Sequence, residues 1–165
     1  MTEDVRVAAD DATAEAGESD AIVVRLGAGR FAVDLGSVAE VGKAPHVTRV
    51  PGVPSWLAGV ANWRGRILPV LDLRGLLGGE QVELTARGRL VVVATDVATV
   101  GLVVDAVDGT TTIAEQVAEF PAALPGPGAE LIVGQLPRPD GPIAVLDVAA
   151  IIRLRDALPR GRRSA

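Results

Sequence analysis

The stretch Ile67-Leu-Pro-Val-Leu-Asp-Leu-Arg-Gly-Leu-Leu77 lines up with Pro142-Ile-Ala-Val-Leu-Asp-Val-Ala-Ala-Ile-Ile152 at an offset of 75. Both copies hold Val-Leu-Asp, an apolar residue, and then an apolar pair three and four positions beyond that residue. Upstream, Val33-Asp34 and Val104-Asp105 repeat at an offset of 71. Two matches in the same order at nearly the same offset imply a duplicated unit, the second copy starting near Arg89. Asp72 and Asp147 sit where a β run gives way to a helical turn, and a carboxylate there accepts N–H bonds from the first turn. Their repetition, one per copy, points to structural caps rather than an acid–base pair. Asp34 and Asp105 read the same way, at turns closing strands.

Outward from the repeat, the chain alternates short β runs with turns. Ala21–Leu26 and Phe31–Leu35 flank Gly27-Ala28-Gly29, where glycine supplies positive φ for a hairpin. Val38–Val41 is a third strand. Ser55–Leu57 reads as a single helical turn capped by Ser55. Val60–Trp63 and Ile67–Leu71 form a hairpin around Arg64-Gly65, and Leu73–Leu77 is a short helix or turn. Arg89–Thr95 and Thr99–Val107 are strands, Leu131–Leu136 and Ile143–Leu146 a late hairpin, and Val148–Leu154 a helix. Gly78–Gly88 and the proline-punctuated Pro121–Gly128 are connectors. Many short strands without long crossover helices predict an all-β architecture of barrels or a sandwich.

Composition narrows the function. The 165 residues suit one domain or two small lobes. With no cysteine there is no disulfide, thiolate metal site or cysteine nucleophile, and the lone His46 argues against a multi-histidine centre. His46 lies in a polar loop and reads as a surface residue. Aromatic residues make up only 2% and net charge is −5, so a base-stacking nucleic-acid surface is not expected. No stretch reaches the roughly 18 uninterrupted apolar residues of a bilayer span, which predicts a soluble chain without direct membrane insertion. Residues 1–20 carry seven acids against one arginine and should be disordered. Residues 153–165 carry five arginines and one aspartate. Gly27-x-Gly29 lacks the third glycine and the helix of a phosphate cradle. No nucleophile–base or metal set is visible, so neither catalysis nor a cofactor is expected. An enzyme or a small-ligand-binding β-barrel is the competing class.

The chemically informative segment is Asn62-Trp63-Arg64-Gly65. A hairpin tip projects an always-charged guanidinium, and the adjacent tryptophan adds amphipathic surface; Trp and Arg are frequent interface anchors. The bland alternative is a solvated turn arginine with Trp63 packed inward.

These residues carry a resemblance. Phe31-Ala-Val-Asp-Leu-Gly-Ser-Val-Ala-Glu40-Val, Thr48-Arg49-Val-Pro51, Pro54, Gly59-Val, Asn62-Trp-Arg64-Gly65 and Ile67-Leu-Pro69-Val-Leu-Asp72-Leu are similar to the CheW family of chemotaxis coupling proteins. Gly101-Leu-Val-Val-Asp105-Ala-Val and the Leu131–Ile152 hairpin continue the likeness, which covers about residues 21–154. Trp63 departs from it, since members usually have an aliphatic residue there. The resemblance implies two SH3-like five-stranded β-barrel lobes packed together, with short helical turns. The expected domains are a disordered acidic extension over 1–20, lobe 1 over about 21–88, lobe 2 over about 89–154, with strand exchange between lobes allowed, and a basic flexible tail over 155–165. It implies a non-enzymatic cytoplasmic adaptor that joins the regulatory domain of a CheA-type histidine kinase to the cytoplasmic tip of methyl-accepting chemoreceptors, and so is recruited to membrane receptor arrays. A CheW-like scaffold in a kinase pathway for pili, gliding or second-messenger synthesis is the alternative. The partner-binding residues it implies are Val38, Glu40 and Arg64, with Asn62 and Gly65 shaping the hairpin that presents Arg64; Trp63 joins the candidate set on its own chemistry, as the interface-type neighbour of Arg64. The segment from Val103 to Val107 is expected to line the same groove.

Overall fold

Runs of Val, Ile and Leu bounded by glycine, proline and aspartate become short strands. The computed structural model describes residues 19–77, 88–113, 118–119, 128 and 130–157. In chain order the strands are β1 (Ser19–Leu26), β2 (Gly29–Asp34), β3 (Val38–Lys43), β4 (Leu57–Trp63), β5 (Arg66–Leu71), β6 (Arg89–Ala94), β7 (Thr99–Val104), β8 (Ala106–Ile113), β9 (Ile132–Leu136) and β10 (Ile143–Leu146). Helix α1 (Val148–Arg153) follows β10.

They build two five-stranded sheets, ordered β8-β1-β2-β10-β9 and β3-β6-β7-β5-β4. If β1–β5 are exchanged for β6–β10, the two orders coincide. The duplication is therefore structural. Its two copies swap strands reciprocally: β1 and β2 join β8–β10 of the other copy, while β3–β5 take β6 and β7. The junctions are the two parallel pairs, β2 with β10 and β5 with β7. The division near residue 88 thus separates the sequence copies but not the sheets. The physical reason is burial: β1, β2 and β10, and β5, β6 and β7, are apolar on both faces and belong in sheet interiors, whichever copy supplies them.

Burial follows strand alternation. Ile22, Val24, Phe31 and Val33 of one sheet meet Val91, Val93, Val100 and Leu102 of the other in a core shared by both lobes. The intervening residues point the other way. Ala21, Val23, Ala32, Leu136, Ile143 and Val145 fill the first lobe. Ala61, Leu68, Val70, Leu90, Val92 and Val103 fill the second. Each fully buried Val or Leu contributes about 1.5–3 kcal/mol of transfer free energy. Two-faced burial is why these strands read as unbroken apolar runs.

Asp72 and Asp147 occupy matching places. Each backbone N–H donates across its lobe at 2.8 Å, Asp72 to the Trp56 carbonyl and Asp147 to the Leu131 carbonyl. Their side chains diverge. Asp147 caps α1 by accepting from the Ala150 amide. Asp72 instead accepts from the amide, Nε and Nη2 of Arg74, because only this copy carries an arginine two residues on.

Other expectations shift. Ser19 and Asp20 pair with Ile113 and Thr112 in β1, so order begins before residue 21; residues 1–18 lie outside the described residues. Ser55 and Trp56 form a turn and Leu57 opens β4, so there is no helical turn at 55–57. The run expected over Thr99–Val107 breaks at Asp105, and β8 continues to Ile113. Its Asp-Gly-Thr-Thr-Thr sequence is mostly exposed and lacks an apolar alternation, so nothing in the pattern marks it as a strand. At the other end, Leu154–Ala157 forms a 3-10 turn, so Arg155–Ala157 of the expected flexible tail is ordered. Residues 158–165 and most of the 78–88 and 121–128 connectors lie outside the described residues.

Candidate partner-binding site

The β4–β5 hairpin closes through a two-residue turn, with Trp63 paired to Arg66. Arg64 and Gly65 both have positive φ, 52° and 77°. This is a turn that matches strand twist and ordinarily selects Asn-Gly or Gly-Gly. Glycine fits at Gly65, but Arg64 holds a conformation that costs a Cβ-bearing residue about 1 kcal/mol. Asn62 secures the turn, its Oδ1 accepting from the Gly65 amide at 3.0 Å. The sequence therefore accepts local strain to stand a guanidinium at the tip.

Glu40 meets it from the far side of the sheet. β3 and β4 are opposite edges of one sheet, yet Arg64 Nη2 donates to Glu40 Oε1 at 2.5 Å. A bridge between Thr48, five residues beyond the end of β3, and Val60 of β4 lays the chain that continues from β3 along the β4 edge, so the sheet wraps into a barrel and the ion pair lies on its seam. Arg64 is 70% exposed and Glu40 25%. The second oxygen of Glu40 is buried with no hydrogen-bond partner among the described residues. The Arg64 guanidinium also lies over the Trp63 ring, 5.4 Å from its centroid, and Trp63 packs against the interior of this lobe. Trp63 is thus packed inward and still in contact with the tip.

Val38 stands apart. A bulge between Val38 and Glu40 shifts the β3 register, so Val38 pairs with Val93 and Glu40 with Val92. Cross-strand partners share a face. Val38 consequently faces the shared core while Glu40 faces the rim with Trp63 and Arg64. Val103 and Val104 are buried core residues, in the lobe interior and the shared core respectively. In that segment only Asp105 is exposed, with Ala106 and Val107 half-buried. His46 is exposed, as expected.

Two arginines escaped the sequence reading. Arg74, 5% exposed, forms a two-pronged pair with Asp72 and lies 3.6 Å from Asp105. Its hydrogen bond to Asp72 raises its already high pKa. Asp105 in turn accepts from the Gly27 amide at 2.6 Å, so Arg74 ties the end of β5 to the β1–β2 turn of the other sheet. Its one sequence signal was a charge inside the repeat where the second copy has Ala149. Arg138, in the β9–β10 turn, reaches Thr111 Oγ1 at 3.0 Å. It clasps edge strand β8 much as Arg64 clasps β3. In the same turn Asp140 takes both prongs of Arg30 at 3.0 Å. That hydrogen bonding holds the Asp140 carboxyl below its ordinary pKa. Among the described residues no group of three His, Cys, Asp or Glu side chains is placed to hold a metal. Among them, no helix is long and apolar enough to cross a membrane.

A duplicated pair of five-stranded β lobes, sharing one core and raising a charged hairpin on one barrel seam, defines a two-lobed all-β scaffold domain. The profile of the CheW-like domain family matches residues 20–156, and the chain belongs to that family. It is 42% identical over 105 residues to protein PilI of Pseudomonas aeruginosa, covering 61% of this chain and 59% of PilI. It is 34% identical over 104 residues to the chemotaxis protein CheW of Bacillus subtilis, covering 62% and 67% of the two chains. Among solved structures, the scaffolding protein TtCheW of Thermoanaerobacter tengcongensis superposes with a TM-score of 0.68 at 26% identity, covering 78% of this chain and 88% of that one. The alignment thus spans less than two thirds of PilI's length.

Proposed function

We propose that the chain is a non-enzymatic adaptor coupling chemoreceptors to a CheA-type histidine kinase in chemotaxis-like signal transduction. The observation that carries this reading is the CheW-like match across residues 20–156. Two features support it. Both barrel interiors are packed with Ala, Val, Leu and Ile side chains, as in a scaffold rather than a small-ligand carrier. The strained tip presents an arginine beside a tryptophan, the residue types that anchor interfaces. In this reading Glu40, Trp63 and Arg64 face the partner, Asn62 and Gly65 shape the turn, and Val38 supports β3 from behind. The partners are the kinase's regulatory domain and the receptor's cytoplasmic tip. They recruit the adaptor to membrane arrays, and no cofactor enters.

Reconstitution with the cognate kinase and receptor is the test. Receptor-dependent kinase output should change when the adaptor is added, and equal output with and without it would overturn the reading. A second reading has its own support in the 42% identity to PilI and the 36% identity to FrzA of Myxococcus xanthus. In that reading the same scaffold serves a kinase pathway other than chemotaxis. Identification of the kinase retained in a pull-down from native lysate separates the two.

A further inference from the structure

We infer that Trp63 is a positioning residue that holds the Arg64 guanidinium independently of Glu40, ready for a carboxylate-bearing segment of a protein partner; the partner half of this rests on the adaptor reading above. An exposed ion pair is a poor holder by itself. Both side chains lose rotamer freedom in it, and salt screens it. Here one carboxylate oxygen of Glu40 also lacks a hydrogen-bond partner among the described residues. The ring contact complements that weakness. It uses the face of the guanidinium and none of its N–H donors. Glu40 occupies Nη2, so the remaining donors stay available to an incoming acceptor. Trp63 can serve as a platform because its own position is fixed. It packs on the lobe interior and is paired across the hairpin with Arg66. An aliphatic side chain at this position would fill the same contact with the interior but offer the guanidinium no ring face.

The tip also selects the sign of its partner. Arg64 in the turn and Arg66 just after it stand against the single Glu40 carboxylate, and both arginines are exposed. The tip therefore presents net positive charge to an acidic segment. The adjoining ring supplies an apolar contact beside that charge. A carboxylate flanked by an apolar side chain is the matching chemistry.

Nuclear magnetic resonance on the full chain tests the holding step without any partner. The Arg64 side-chain protons should carry an upfield ring-current shift that persists in 0.5 M NaCl and in Glu40→Gln. Trp63→Leu should abolish the shift and Trp63→Phe should retain part of it. Absence of the shift in the wild type, or its disappearance in Glu40→Gln, would overturn the inference. Binding titrations with the kinase regulatory domain and the receptor-tip fragment test its use. Trp63→Leu should weaken binding about threefold at low salt, with a steeper salt dependence, and Trp63→Phe should restore most of it. In a double-mutant cycle, Trp63→Leu should add little once Arg64→Ala is present. Additive losses would mean that Trp63 acts separately from Arg64, which also overturns the inference. Should neither fragment bind the wild type, the adaptor reading falls, while the ring-current experiment still decides whether Trp63 holds Arg64.

Discussion

Replacing Arg74 with alanine should be among the most damaging single changes in the chain. Arg74 is 5% exposed and its partner carboxylate, Asp72, is 9% exposed. The substitution removes two charge-assisted hydrogen bonds, from Nε at 2.9 Å and Nη2 at 2.7 Å, and leaves Asp72 with the residue 74 amide as its donor among the described residues. Taking one partner from a buried pair costs about 3–5 kcal/mol, because the other charge stays desolvated. The surviving amide bond places the expected loss near the lower end, about 3 kcal/mol. The 3.6 Å approach to half-exposed Asp105 adds little, since water screens it. For a chain of this size the melting temperature should fall by about 6–12 °C. Urea denaturation followed by circular dichroism at pH 7 measures the loss directly. A control separates the stranded charge from lost packing: Asp72→Leu combined with Arg74→Met removes both charges and should recover most of the stability. A loss below about 1 kcal/mol for Arg74→Ala would show that the pair behaves as a solvated surface bridge, and the argument would fail.

Arg64→Asn should leave stability unchanged or raise it by about 0.5 kcal/mol, since asparagine tolerates the left-handed turn position and the exposed ion pair contributes little. The same variant should bind partners more weakly, and a melting scan beside a binding titration checks both; a clear fall in melting temperature would argue against strain at Arg64. Gly59→Ala should destabilise by about 3 kcal/mol, because at φ 149° its Cβ would sit 2.1 Å from the Thr48 carbonyl oxygen and prise open the barrel seam. Chemical denaturation measures it, and a neutral result would mean that the Thr48–Val60 bridge opens at little cost. Arg30→Ala should raise the Asp140 carboxyl toward the ordinary carboxylate range, as a carbon-detected titration would show, with the backbone hydrogen bond at Asp140 and the Arg138 charge still acting to lower it. A depressed folded-state pKa stabilises above the unfolded value and is lost as pH falls through the folded one, so Arg30→Ala should remove stability at neutral pH but little below the carboxylate range. An unshifted Asp140 titration would contradict the pairing.

The hairpins and the duplication were legible because their causes are local. Gly27 and Gly65 provide positive φ where tight turns need it, Asp147 caps the turn after β10, and the Val-Leu-Asp repeat records two copies of one unit. β8 was not legible, because an edge strand can be polar on its exposed side and is defined by pairing with β1 rather than by its own pattern. Of the candidate site, the turn formed by Asn62, Arg64 and Gly65 follows from residue types three positions apart. That Val38 and Glu40 face opposite sides of β3 was not legible, because it follows from a register shift at Ala39 that only the pairing with β6 reveals.

By itself, then, the amino-acid order determined an all-β chain of two related copies with a charged, tryptophan-flanked hairpin tip. Only the tertiary structure decided which copy supplies each strand, since two-faced apolar strands of either copy satisfy the same burial requirement. Sheet closure decided the rest. Wrapping brings opposite edges together, so Glu40 on β3 reaches Arg64 beyond β4. The crossing from β7 to β8 sets Asp105 beside both Gly27 and Arg74, burying a guanidinium that its sequence neighbourhood would have left in water. Such contacts join residues 24 to 78 positions apart, and no local propensity acts over that separation.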